Sequence, residues 1–148
     1  MSANTIPAYL LFKLIFSFFM AVDLQGQDTQ YDYEGFEIFM YQDGDTTYTM
    51  KKYYMAFLKR GDKTSVDDEE RMRIQQAHLD HMSHLAEQDK ICIAGPFGDD
   101  TDLRGIVIYS AKSMEEARSY ADSDPAVKAG ILKIDIHPWW AAKGSKLY

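Results

Sequence analysis

Residues 52–59, KYYMAFLK, carry apolar side chains on both alternating faces of an extended segment. Side chains of a β-strand point alternately to opposite sides of the sheet, so a strand that is apolar on both sides is covered on both sides. This run therefore predicts a central strand that needs two layers of cover. A chain of 148 residues provides one domain with a proper core, but it is too short for two domains of ordinary size.

Three segments begin with capping signals and predict helices. Residues 65–68 match a capping box, and the run at residues 66–88 contains neither glycine nor proline. Residues 113–116 form a second capping box, which starts a second helix with a small apolar face. Asp124 before Pro125 is typical of the start of one further helical turn, in which the aspartate oxygen accepts a backbone N–H.

Strand signals lie between and after these helices. The β-branched or alternating runs that carry them are residues 91–94, 106–109 and 131–137. With the strand at residues 52–59 the order is β-α-β-β-α-β, the ferredoxin-like arrangement of an α+β fold. Two helices cover only one face of its four-stranded antiparallel sheet, so a second copy packed sheet to sheet is the economical cover for the other face. We therefore expect a homodimer.

The first residues of the chain carry an export signal. Residues 9–22 are almost wholly apolar, which is shorter than the about 20 residues of a membrane span and fits the core of a secretory signal. We expect a signal peptide at residues 1–26, cleaved after Gly26, and hence a periplasmic or secreted protein that meets the membrane only through this segment. An uncleaved anchor and a buried N-terminal helix are the alternatives.

An extension is expected between the signal and the domain. Residues 27–50 are interpreted as a polar linker followed by a β-hairpin, because alternating residues flank the turn signal Asp43-Gly44. The domain itself is then expected at residues 51–148.

The charge and the cysteine content exclude several functional classes. The formal net charge is -7, and Lys and Arg are scattered among acidic residues, so the chain has no basic stripe for nucleic acid. Cys92 is the only cysteine, which excludes an internal disulfide and a zinc site built on several thiolates. Its place in an apolar run predicts an inert buried thiol.

Three histidines follow one another at three-residue spacing in the long predicted helix. At about 100° per residue, His78 lies in the middle of an apolar stripe, whereas His81 and His84 turn toward the polar side. The three do not converge on one point, so we predict no metal site and treat His81 and His84 as solvated surface residues. A buried His78 needs a hydrogen-bond partner, so it is either a satisfied core residue or, beside a carboxylate, a general base.

Four separated motifs occur in order along the domain: AHL at residues 77–79, AGPF at 94–97, LRG at 103–105 and DPAVKAG at 124–130. With these motifs the sequence from Tyr53 onward resembles the YCII-related (YciI-like) family. The resemblance implies a ferredoxin-like dimeric α+β barrel with a His/Asp-centred active site, in which the histidine corresponds to His78 and the aspartate to Asp124. Asp89 and Lys90 depart from the family pattern, which often has glycine before the second strand.

The candidate residues suggest acid-base chemistry. Asp124 would orient and charge-stabilise His78, which would act as general base and then as general acid. No Ser or Cys motif for covalent catalysis is present, and we expect no cofactor. The expected contacts of a small-molecule substrate are Gly95, Pro96, Phe97 and Arg104. For Arg104, a surface ion pair with a nearby aspartate is the alternative.

Three interpretations of function are open. The first is a cofactor-free enzyme for elimination or isomerisation of a small cyclic or aromatic acid, a reaction class that the resemblance suggests through relatives in ring-compound breakdown. The second is a noncatalytic periplasmic ligand-binding or accessory dimer. The third is a structural dimer in which His78 and Asp124 merely satisfy each other.

Overall fold

The computed structural model describes residues 29–147, and the expected signal peptide lies outside this range. The elements in chain order are β1 (Gln30–Tyr31), β2 (Glu37–Asp43), β3 (Thr46–Arg60), α1 (Asp68–Glu87), β4 (Ile91–Pro96), β5 (Leu103–Tyr109), α2 (Met114–Asp122), α3 (Pro125–Lys128) and β6 (Leu132–Ala142). Within residues 29–147, no helix is long and apolar enough to cross a membrane.

The core of the sheet has the strand order β6-β3-β5-β4, and every neighbouring pair is antiparallel. This order, with α1 between β3 and β4 and α2 between β5 and β6, confirms the predicted ferredoxin-like α+β fold. Both helices pack on one face of the sheet, because Leu85 of α1 and Ala117 of α2 share one core cluster with Tyr54 and Ala56 of β3.

The opposite face of the sheet is also apolar. Tyr53, Met55 and Phe57 alternate with the core residues of β3, and Trp139 lies directly opposite Tyr53 in β6. Ile106 lies opposite Phe57 in β5 and completes this patch, which we call the open face. Trp139 is 37% exposed there. The helices therefore cover only one of the two apolar faces of the central strand.

The central strand is longer than the sequence predicts. Instead of a hairpin arm and a separate strand at residues 52–59, β3 runs without a break through Thr46–Arg60. No turn-forming residue interrupts this segment, so the hairpin arm and the domain strand are one element. The hairpin itself is confirmed, since β2 pairs with the first part of β3. Gln30–Tyr31, expected as linker, pairs with β2.

Helix caps are confirmed at two of three sites. The Ser113 side chain accepts the N–H of Glu116, and Asp124 caps α3, with Pro125 in its first turn. The predicted capping box at residues 65–68 is wrong by two residues. Asp67 is the cap of α1 and accepts the N–H of Glu70 at 2.8 Å, so the helix begins two residues later than the signal at Ser65 predicts.

Two local expectations in the strands need correction. Cys92 is exposed rather than buried, because β4 is the outermost strand and its pairing with β5 shifts between Ile91 and Ile93, which makes Cys92 a bulge residue. The last strand runs five residues past His137, to Ala142. Pro138 is tolerated there because β6 is an edge strand.

Candidate active site

Asp124 is the buried centre of the site, and its two oxygens have different partners. Oδ1 accepts the backbone N–H of Ala126 at 2.8 Å and so caps α3. Oδ2 lies 2.6 Å from Nδ1 of His78 on α1. The side chains of His78 and Asp124 are 12% and 2% exposed. One carboxylate therefore holds both a helix terminus and an imidazole, and the capping and histidine-binding roles coexist.

The contact with Asp124 fixes the orientation and the tautomer of His78. An ionised carboxylate only accepts hydrogen bonds, so Nδ1 is the donor and Nε2 of the neutral ring keeps a free lone pair. Within residues 29–147, no protein group forms a hydrogen bond with Nε2. Tyr109 also lies near Asp124. Burial raises the pKa of Tyr109, and the negative charge of Asp124 raises it further by a smaller amount. The phenol of Tyr109 therefore stays neutral.

His78 lines a cavity of about 540 Å³ between α1 and the sheet. Small-ligand sites typically measure about 300–1,000 Å³, so a small metabolite fits. Ile74 and Met82 of α1, with Leu58 and Val107 of the sheet, form apolar walls. An apolar wall keeps water from the imidazole and strengthens electrostatic interactions inside the cavity. The site thus combines an oriented imidazole with a cavity of the size of a small ligand.

Three of the four expected substrate contacts line this cavity. They are Gly95, Pro96 and Arg104. Phe97 does not line it, because β4 ends at Pro96 and the Phe97 ring is 41% exposed. The two glycines that line the cavity differ from each other. A Cβ on Gly105 would lie 2.6 Å from the Gly95 oxygen, which explains the glycine at 105, whereas a Cβ on Gly95 would meet nothing within 4 Å.

Arg104 forms the surface ion pair that was one of its two expected roles. Its Nη1 lies 2.8 Å from Oδ1 of Asp100, and Arg60 binds the same oxygen at 2.9 Å. Hydrogen bonds from Arg104 and Arg60 lower the pKa of Asp100. The two guanidinium groups therefore share one carboxylate at the edge of the cavity.

The neighbouring histidines do not join the site. His84 is exposed and contacts Gln88, as expected for a surface residue. His81 is half-buried rather than solvated, because its Nε2 lies 3.0 Å from the carbonyl oxygen of Tyr120 on α2. In the described part of the chain, no three His, Cys, Asp or Glu residues are grouped so as to hold a metal ion.

The sequence pattern of the YCII-related domain family matches residues 53–140 of the chain. The protein belongs to the YCII-related family. The match spans β3 to β6, and the His78–Asp124 contact lies inside it. Thus β1, β2 and the first part of β3 lie outside the matched region and form an N-terminal extension of this YCII-related protein.

Two relatives of similar sequence agree with this assignment. Protein YciI of Escherichia coli O6:H1 is 30% identical over an alignment of 80 residues. The match covers 48% of this chain and 82% of that protein. The uncharacterized protein YjpA of Bacillus subtilis is 31% identical over 62 residues, 42% of this chain and 71% of that protein. One solved structure is similar over 64% of this chain and 99% of that one, with a TM-score of 0.47 and 25% identity. It is the 5-chloro-2-hydroxyhydroquinone dehydrochlorinase TftG of Burkholderia phenoliruptrix AC1100 in complex with 2,5-dihydroxybenzoquinone.

Two basic residues of the cavity were not singled out in the sequence. Arg71 lies seven residues before His78, which at about 100° per residue returns it to within about 20° of the same side of α1. This spacing is a signal that could have identified it. Lys63 carries no such signal, because its position depends on a backbone hydrogen bond from its own N–H to Gly130, 3.0 Å long.

The substitution Asp124→Asn separates capping from histidine orientation. The new amide oxygen still accepts the N–H of Ala126, but the amide nitrogen donates to Nδ1 of His78, so the neutral ring should carry its proton on Nε2. We expect ¹⁵N NMR to show this change of tautomer, with a loss of stability smaller than the about 1 kcal/mol or more expected for Asp124→Ala. Asp122→Asn, an exposed neighbour, is the control. An unchanged tautomer in Asp124→Asn would contradict this account.

Proposed function

We propose that this chain is a homodimeric, exported enzyme in which His78 performs general acid-base catalysis on a small cyclic or aromatic acid without a cofactor. The observation that carries the proposal is the 2.6 Å contact between Nδ1 of His78 and Oδ2 of Asp124. His78 also lines the cavity. It supports a base whose second nitrogen is available to a ligand.

The proposed reaction is an elimination or an isomerisation. Nε2 of His78 takes a proton from substrate carbon or oxygen, the bond electrons remain on the substrate, and Asp124 stabilises the imidazolium that forms. The imidazolium then returns the proton, either to another substrate atom or to a leaving group. Both reactions are redox-neutral, and a single oriented imidazole supplies their proton transfers. Among residues 29–147, the side chains that line the cavity include no Ser or Cys that would act as a nucleophile.

A noncatalytic ligand-binding or accessory module is the second candidate. One observation favours it: among residues 29–147, the cavity lining contains one histidine, His78, and no Asp, Glu, Cys or Tyr side chain. The lining therefore offers no second acid-base group that would face His78 across a bound substrate. In this alternative the imidazole only donates or accepts a hydrogen bond in the cavity wall.

The substitution His78→Gln distinguishes these candidates once a thermal-shift screen against small metabolites has found a ligand. The glutamine amide retains a donor for Asp124 but transfers no proton, so we expect turnover to fall by about 10²–10⁴-fold with ligand affinity nearly unchanged. His84→Gln, on the exposed side of the same helix, is the control and should keep full turnover. Lost affinity with no turnover in the wild type would favour the binding module. A large drop in melting temperature alone would favour a structural pair.

The dimer is proposed from the open face of the sheet. The substitution Phe57→Glu places a charge at the centre of this face, so we expect a dimer to become a monomer in sedimentation-velocity experiments. Met72→Glu is the control, because Met72 is 67% exposed on α1 and lies away from the sheet. A wild-type protein that sediments as a monomer at micromolar concentration would contradict the proposal.

Export is proposed from the apolar segment at residues 9–22. We expect mass spectrometry of the exported protein to give a mature N-terminus that follows Gly26. An intact Met1 in exported material would contradict cleavage.

A further inference from the structure

We propose that Lys63 and Arg71 form an anion subsite of the His78 cavity, which binds the carboxylate of the ligand while the reacting part of the ligand lies at the imidazole. This inference rests on the proposed function and deepens it, because it assigns the charge of the ligand to two residues of this chain. Neither Lys63 nor Arg71 is among the residues that the family resemblance implies for the active site.

The first argument is the charge of the cavity lining. The chain has a formal net charge of -7, yet the described residues that line the cavity include Arg60, Lys63, Arg71 and Arg104 and no Asp or Glu. A local excess of cations in an acidic protein favours an anionic ligand at that place. His78 adds no negative charge, and Asp124 lies behind it, capping α3.

The second argument is which of these cations already have a partner. Asp100 binds both Arg60 and Arg104. Lys63 and Arg71 form no ion pair with any carboxylate of residues 29–147. The acidic residue next to Arg71, Glu70, is occupied by Arg73, which binds its two oxygens at 2.9 and 2.8 Å. Two cations of the lining are therefore available to a ligand carboxylate.

The third argument is the position of the two residues. Arg71 lies two helical turns before His78 on the same side of α1, a rise of about 10 Å along the axis. Lys63 comes from the loop between β3 and α1, which is held by hydrogen bonds from the Gly61 N–H to Ile131 and from the Lys63 N–H to Gly130. A Cβ on Gly61 would lie 2.1 Å from the Gly130 oxygen, so the close approach requires glycine.

This arrangement specifies the ligand class. The carboxylate binds at one end of the cavity, with Arg71 able to take it bidentately, and the rest of the ligand extends between apolar walls toward Nε2 of His78. The distance between Arg71 and His78 favours a ring that carries a carboxylate over a two-carbon acid. A neutral analogue of the same shape leaves both cations without an anion and should bind more weakly.

Benzoate and benzamide are the probes for this inference, because they share one shape and differ in charge. In isothermal titration of the mature protein we expect benzoate to bind about 2–30-fold more tightly than benzamide, the factor that two solvent-exposed ion pairs provide. The double variant Lys63→Gln, Arg71→Gln should bind the two compounds equally. Arg118→Gln, an exposed arginine of α2 outside the cavity, is the matched control and should retain the preference.

Three outcomes of the titration overturn the anion subsite. In the first two, the wild-type protein binds benzoate no more tightly than benzamide, or binds neither compound. In the third, the double variant keeps the preference for benzoate. Failure of the proposed function is distinguishable from these outcomes. If the preference is lost in the double variant but no metabolite is turned over by the wild type, the subsite stands and the enzymatic proposal falls. If turnover depends on His78 but not on Lys63 and Arg71, the enzymatic proposal stands and the subsite falls.

Discussion

The buried carboxylate of Asp124 is the interaction on which the site depends. Transferring a carboxylate from water into a protein interior costs several kcal/mol or more unless hydrogen bonds replace its hydration. At Asp124 the backbone N–H of Ala126 and the imidazole of His78 provide those bonds, from α3 and α1 respectively. The electrostatic requirement of one residue therefore fixes the position of a helix start and of a side chain 46 residues away. Capping and imidazole orientation have a common physical cause.

The central strand β3 connects this site to the rest of the molecule. Its second half pairs with β5 and β6 in the family domain, and its first half pairs with β2 in the extension. Lys51 joins the two parts. Its ammonium group is buried, donates to Ser110 at 2.9 Å and lies 3.3 Å from the centre of the Phe36 ring. Burial lowers the pKa of Lys51. A buried cation between aromatic and hydroxyl partners therefore connects the extension, through Phe36, to Ser110 just after β5.

The sequence predicted the features that depend on local chemistry. The order of elements, the caps at Ser113 and Asp124 and the polar partner that a histidine in an apolar stripe requires all follow from short-range patterns, and the structure contains each of them. It failed where tertiary contacts decide. Cys92 is exposed because of a bulge against β5, and His81 is held by a carbonyl of α2. Neither partner is near in sequence, so composition and periodicity carry no trace of them.

The charge distribution also bears on how a ligand would be selected. A protein with a net charge of -7 repels a distant anion, and at physiological salt the field of individual residues extends only about 8 Å. Cations that line a cavity therefore act mainly after the ligand has arrived, by slowing its departure, and contribute little to steering it from solution. Because Arg60 is paired with Asp100 and Asp102, and Arg104 is paired with Asp100, discrimination would fall to Lys63 and Arg71. A carboxylate held there would leave the apolar inner wall to the ring of the ligand, next to the imidazole of His78.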